Sequence, residues 1–174
     1  MIRSGILGED DPVELINGCL VTKMPKSPLH STTTGLLEEA ITRLLPSGWC
    51  LRVQEPVTTS DSEPEPDLAL VRGRRRDFAR RHPTPKEVVL VVEVADTSLV
   101  RDRTIKKHLY AATRIPQYWI VDLTERSVEV HARPTGTGGS ATYRSKKVFK
   151  PGQRIPLRLD GRIVGGIDAG EIFP

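Results

Sequence analysis

Glu93 stands where a protein interior has no use for a charge. It directly follows Val88-Val89-Leu90-Val91-Val92, a β-branched apolar run that suits a strand covered on both faces. A carboxylate at the end of such a strand needs a partner, a metal or water to offset its desolvation, so Glu93 is either functional or at an exposed strand end. Asp67 has a comparable setting. An acidic, proline-punctuated loop over 60–66 delivers it to the start of the apolar strand Leu68-Ala69-Leu70-Val71. The loop could be a solvated acidic cluster. If the two strands are neighbours, however, Asp67 and Glu93 can supply oxygen ligands to Mg²⁺, which favours a few carboxylates, retained waters and substrate phosphate oxygens.

The next candidates lie on a helix. After Asp96-Thr97-Ser98, the spacing predicts a helix over 99–113 with Ser98 or Thr97 as N-cap. Ile105, Leu109 and Ala112 make its core-facing stripe, and Asp102, Lys106 and Tyr110 the adjacent one. Ile115-Pro116 ends the helix, and residues 117–121 form an aromatic, β-branched strand closed by Asp122. A single helical crossover makes the flanking strands parallel and lays the helix on one sheet face, from which Lys106 could reach Glu93. A surface pair of Asp102 and Lys106 at i, i+4 is the alternative.

The remaining chain supplies the frame. Residues 13–24 read as a hairpin about Asn17-Gly18, with Glu14 on its first strand as a sheet-surface carboxylate or a secondary site candidate. Apolar spacing predicts a core helix over 29–45. His30 near its start reads as a capping or packing residue, or as a phosphate contact. Short strands follow over 49–53 and 57–59. Between the strands that carry Asp67 and Glu93 lies a basic run over 72–86, in which Arg74, Arg75, Arg76, Arg80 and Arg81 could track a phosphate backbone or belong to a solvated crossover. Phe78 is its one aromatic, too few for a stacking platform. Strands over 127–132 and 143–149 form a hairpin, strands over 155–159 and 163–164 follow, and 168–173 closes with a helical turn.

With 174 residues, the chain suits one α/β domain, 1–174, with a central mixed β-sheet flanked by helices: a hairpin at 13–24, a core at 29–122 and strands over 126–174. No apolar run approaches the roughly 20 residues of a membrane span, and residues 1–11 lack the apolar stretch of a leader, which points to a cytoplasmic protein. Cys19 and Cys50 lack metal-site spacing and read as buried thiols. A net charge of +4 lends modest support to a polyanionic partner. The chain has no P-loop, no dinucleotide fingerprint and no hydrolase-triad spacing.

Pro66-Asp67, Val92-Glu93-Val94, the Asp102-Arg103, Lys106 and Tyr110 spacing, and Ile115-Pro116 with Tyr118-Trp119-Ile120-Val121-Asp122 together resemble the Uma-two family, restriction-endonuclease-like proteins of the PD-(D/E)XK nuclease superfamily. Glu14-Leu15-Ile16-Asn17-Gly18 and His30 extend the resemblance. It implies a restriction-endonuclease-like core and hydrolysis of DNA phosphodiesters. Asp67 and Glu93 would ligate Mg²⁺ or Mn²⁺, and a lysine would help to position or activate water. The superfamily's usual lysine stands two residues after the glutamate, where this chain has Ala95. The resemblance implies that the amine comes from the following helix, on Lys106, with Lys107 as the fallback. A nuclease-fold protein that binds nucleic acid or assembles without turnover is the competing reading. Cutting both strands of a duplex calls for two symmetric sites, so a homodimer is expected. Light scattering should return twice the mass of one chain; a monomeric mass would remove that expectation.

Overall fold

The computed structural model describes residue 8 and residues 11–174; residues 1–7, 9 and 10, most of the stretch read above as lacking a leader, lie outside the described residues. The apolar run continues through Glu93 as strand β5 (Val88–Ala95), buried along its whole length. Before it come β1 (Val13–Ile16), β2 (Cys19–Thr22), α1 (Pro28–Thr42), β3 (Trp49–Val53) and β4 (Leu68–Arg72). After it come α2 (Leu99–Arg101), a π-helical stretch (Asp102–Lys106), α3 (Lys107–Ala112), and strands β6 (Gln117–Asp122), β7 (Ser127–Thr135), β8 (Thr142–Phe149), β9 (Arg154–Leu159) and β10 (Arg162–Asp168).

Six strands form one mixed sheet in the order β3-β4-β5-β6-β7-β8. β5 and β6 are parallel, as a helical crossover between them requires, and the other neighbours are antiparallel. The expected α/β domain with a central mixed sheet is therefore present. Beyond an irregular register at Val88–Leu90, side chains alternate along β5. Val89, Val92 and Val94 pack into a core with Leu37 and Ile41 of α1 and Ile155 and Leu157 of β9. Val88, Val91 and Ala95 pack into a second core with Leu109 and Tyr110 of α3, Phe78 and Ile16 of the N-terminal hairpin. Glu93 shares the face of the second core by strand parity.

Several expectations change. The helix over 29–45 is Pro28–Thr42, with Pro28 in the first turn and Ser27 as its N-cap. Residues 57–59 do not form a ladder strand: Val57 and Thr58 donate singly to Pro64 and Pro83 carbonyls, because the prolines of this loop cannot sustain strand pairing. After Asp168, the last strand residue, the chain turns without forming a helix, and Ile172 and Phe173 pack on the first core. Cys19 is exposed on the two-stranded hairpin and Cys50 half-buried on edge strand β3, so neither is a fully buried thiol.

The largest change is in the helix over 99–113. Its middle is π-helical, with the Lys107 N–H donating to the Asp102 carbonyl five residues back. One extra residue in a turn rotates the preceding part against the following part by about 100°. Ile105, expected in the core, is 47% exposed, while Asp102 and Lys106 are buried. Leu109 keeps its predicted place, and Ala112 does not.

Leu90 is fully buried at the sheet centre. Leu90→Ala should cost about 3 kcal/mol in urea unfolding, from lost transfer energy plus the cavity left behind. A loss below about 1 kcal/mol would mean that the central strand is less tightly packed than its burial implies.

Candidate active site

The register pairs Leu68 with Val92, and one further step sets Asp67 beside Glu93. Asp67 Oδ2 accepts the Val94 N–H at 2.8 Å and lies 3.1 Å from His30 Nε2. An ionised carboxylate can only accept, so this His30 nitrogen carries the proton. Gln54 Nε2 donates to Asp67 Oδ1 at 3.3 Å. Burial works against the Asp67 charge, but the His30 and Val94 bonds and the nearby Lys106 ammonium outweigh it and hold this carboxyl below its ordinary range.

Glu93 is held differently. Its Oε1 accepts from Lys106 Nζ at 2.9 Å and from Tyr110 Oη at 2.8 Å. Burial pushes its carboxyl up to about 8; Lys106 opposes that rise, and Asp102, Asp67 and Glu14 add to it. Lys106 is 4% exposed. Burial disfavours its charge, but Glu93, Glu14 and Asp102 outweigh that cost and raise its pKa, so it stays an ammonium. The π stretch brings it here. It turns Asp102 and Lys106 inward together, and Tyr110 follows one turn later on the same side.

Glu14 and His30 belong to the same cluster, against the blander readings of each. Glu14 is 3% exposed rather than on a sheet surface, because β1 is bridged at Leu15 to Glu63 and turns Glu14 towards Lys106. Its Oε2 lies 3.3 Å from Lys106 Nζ and accepts the Glu65 N–H, while its buried Oε1 has no partner. His30 donates its backbone N–H to the Ser27 cap and turns its ring to Asp67. Asp102 is 1% exposed and accepts from Ser98 Oγ at 2.5 Å; burial raises its pKa against the pull of Lys106. Asp102 and Lys106, whose spacing also suited a surface pair, are thus both interior, and the close partners of the ammonium are Glu93 and Glu14.

These groups line a cavity of about 620 Å³. Four carboxyl groups, Glu14, Asp67, Glu93 and Asp102, surround the single ammonium of Lys106; one ammonium is too little to keep all four ionised, which is why Glu93 and Asp102 are raised, and a bound cation would favour their ionised forms. Lys23, Lys26 and Arg101 stand at the rim, where Lys23 bridges to Glu65 at 2.7 Å. The residues that sequence reasoning missed are Gln54, which has a positive φ of 53°, and these rim cations. Only their charge or amide type hinted at them. Among the described residues, no three His, Cys, Asp or Glu side chains are spaced to hold a metal by themselves.

Lys107 is half-buried outside this cavity. The arginine run lies at the other end of β4 from Asp67. Arg74, Arg75 and Arg76 line a separate open hollow with Arg52, Glu55 and Phe78. Part of their charge is already met: Arg74 by Asp77, Arg75 by Glu55, and Arg81 by Glu87 at 2.5 Å. Arg76 and Arg80 are exposed.

Residues 4–161 match the family Uma2, described as "Putative restriction endonuclease". The chain belongs to this family. A crystal structure of "a putative nuclease belonging to DUF820" from Anabaena variabilis shares the fold, with a TM-score of 0.76 and 16% identity over 96% of this chain and 93% of that one. No curated protein matches. Among the described residues of this Uma2 chain, no helix is long and apolar enough to cross a membrane.

A second polar cluster lies on the same sheet face. Glu129 Oε1 accepts from Arg103 Nε at 3.0 Å, Arg103 Nη2 at 2.7 Å and Lys146 Nζ at 2.7 Å, and Oε2 lies 3.0 Å from His131 Nε2. Burial opposes its charge, but the Lys146, Arg103 and His131 bonds hold its carboxyl at about 2. A depressed carboxyl stabilises the fold fully above its ordinary value of 4.5 and loses that contribution as pH falls towards 2. Glu129→Gln should therefore lower unfolding free energy by roughly 3 kcal/mol at pH 7. The gap between variant and parent should close as urea titrations move from pH 5 to about pH 2. A pH-independent gap would show that the charge is not what stabilises.

Proposed function

We propose that this Uma2 chain is a divalent-metal-dependent endonuclease that hydrolyses phosphodiester bonds in DNA. The observation that carries the reading is the convergence of Asp67, Glu93 and Lys106 in one cavity, with Lys106 Nζ 2.9 Å from Glu93 and Asp67 tied to the Val94 N–H beside it.

The donor set fits Mg²⁺ or Mn²⁺. Asp67 and Glu93 would hold the ion, the unpartnered Glu14 Oε1 reports a local demand for positive charge, and an ion that retains waters needs no third protein ligand. When bound, the metal supplies Lewis-acid polarisation of the phosphodiester and acidifies the attacking water. The chain's own groups do the rest. His30 and Val94 keep Asp67 ionised and oriented. Lys106 holds a positive charge where negative charge grows in the transition state. Tyr110 fixes the Glu93 carboxyl, and Glu14 fixes the ammonium from its other side.

The basic rim of Lys23, Lys26 and Arg101 would meet the phosphate backbone first. The exposed arginines, Arg76 and Arg80 above all, would extend the contact, while Arg74, Arg75 and Arg81 share their charge with acidic neighbours. Two copies of the chain would serve the two strands of a duplex. A binding module without turnover remains the reading to which a negative cleavage result would point.

With purified protein, Mg²⁺ or Mn²⁺ and a mixed set of supercoiled, linear and single-stranded DNAs, the parent should cleave. Asp67→Asn and Glu93→Gln should each reduce cleavage by roughly 100-fold or more at unchanged far-UV circular dichroism. Lys106→Met should lower kcat while metal affinity by calorimetry stays near the parent's. Cleavage by either carboxylate variant at the parent's rate would sink the nuclease reading.

A further inference from the structure

Lys106 reaches Glu93 from a helix that departs from its regular hydrogen-bond pattern at 102–106. An α-helix through residues 99–112 would carry Lys106 on a different bearing, since the π turn changes the rotation between its two ends by about 100°. A π turn is the less stable form and persists only where its surroundings over-determine it. Two contacts on the side away from the cavity do so. Tyr118 Oη, on β6, donates to the Asp102 carbonyl at 3.1 Å, the same oxygen that accepts the five-residue bond from Lys107. Arg103, the residue after Asp102, reaches to the sheet and grips Glu129 through two N–H groups and Asp122 Oδ2 at 3.1 Å.

The grip is anchored in the sheet itself. Asp122 and Glu129 are 0% and 2% exposed, at the ends of neighbouring strands β6 and β7, where Asp122 is paired with Ser127. Asp122 is further held by the Glu125 N–H at 3.0 Å, and Glu129 by Lys146 and His131. Two buried carboxylates on a rigid sheet leave the guanidinium little freedom, because it meets them with a planar set of donors. Arg103 and Lys106 lie within one turn of the same π stretch, so fixing one in rotation fixes the other.

We propose that Arg103, clamped to Asp122 and Glu129, is a positioning residue that sets the π turn and thereby holds Lys106 against Glu93 and Glu14. It touches none of the groups that line the cavity. The adjacent Asp102 and Arg103 thus have two roles, the aspartate facing the site and the arginine facing the sheet. It rests on the nuclease reading only for its effect on cleavage.

The test reads Lys106 directly. The metal-free protein is pulsed with acetic anhydride, and acetylation of Lys106 is quantified by peptide mass spectrometry against exposed Lys147 as internal standard. Arg103→Gln should acetylate Lys106 roughly tenfold faster than the parent, because the ammonium leaves its buried seat more often. Arg103→Lys, which keeps one charged donor, should fall between the two. In the presence of Mg²⁺ and a cleaved DNA, Arg103→Gln should lower kcat with KM little changed. If Arg103→Gln does not fold, Glu129→Gln carries the same expectations, since it weakens the clamp from the sheet side without changing shape. Faster acetylation in a protein that cleaves no DNA supports the clamp and counts against the nuclease reading alone. Unchanged Lys106 acetylation in a folded but less stable variant would overturn the proposal, leaving Arg103 as a structural tie.

Discussion

A carboxyl group buried at the end of the central strand is the constraint from which most of this molecule follows. Glu93 is 4% exposed in a strand whose other residues are apolar, so its desolvation must be met within the protein. Lys106 and Tyr110 meet it on one oxygen. Lys106 is itself too deeply buried to stand on one partner, which draws in Glu14 from the N-terminal hairpin. The hairpin in turn closes the cavity that Asp67 and His30 complete. One buried carboxyl group thus recruits elements from four separate parts of the chain.

The helix after β5 satisfies two polar clusters on one sheet face. Towards the cavity it presents Asp102 and Lys106, with Tyr110 bonded to Glu93 from the core beside them; towards β6 and β7 it presents Arg103. A regular α-helix spaces its residues evenly at 100°, whereas this stretch contains a wider turn whose first carbonyl receives an additional bond from Tyr118. The apolar packing that a regular helix would gain from Ile105 is given up, and Ile105 lies half in solvent. The two sets of ion pairs offset that loss.

Membership of the Uma2 family and the shared fold of the Anabaena variabilis protein agree with the architecture. Packing accounts for a lysine on the helix rather than on the strand. Two residues after Glu93 stands Ala95, 1% exposed and packed in the core beneath α3, where an ammonium would have no room. An amine delivered from the helix reaches the same carboxylate from above without disturbing that packing.

Most of the strands were legible in the sequence because they rest on local evidence: the unbroken apolar run of β5, the Asn17-Gly18 turn with both residues at positive φ, and the aromatic β6 behind its proline. The convergence of Asp67 and Glu93 was legible only on the condition that their strands are neighbours, which the antiparallel pairing of β4 with β5 meets. What the tertiary structure alone decided was which ordinary polar residues are buried. Glu14 on a short hairpin and His30 at a helix start are buried, and Gln54 beyond a strand end is half-buried, beside neighbours distant in the chain that composition and periodicity cannot name. The π turn was invisible for a related reason. Helical periodicity assumes even rotation, and the bonds that break it here come from Tyr118, Asp122 and Glu129, which reach the helix only after the sheet has formed.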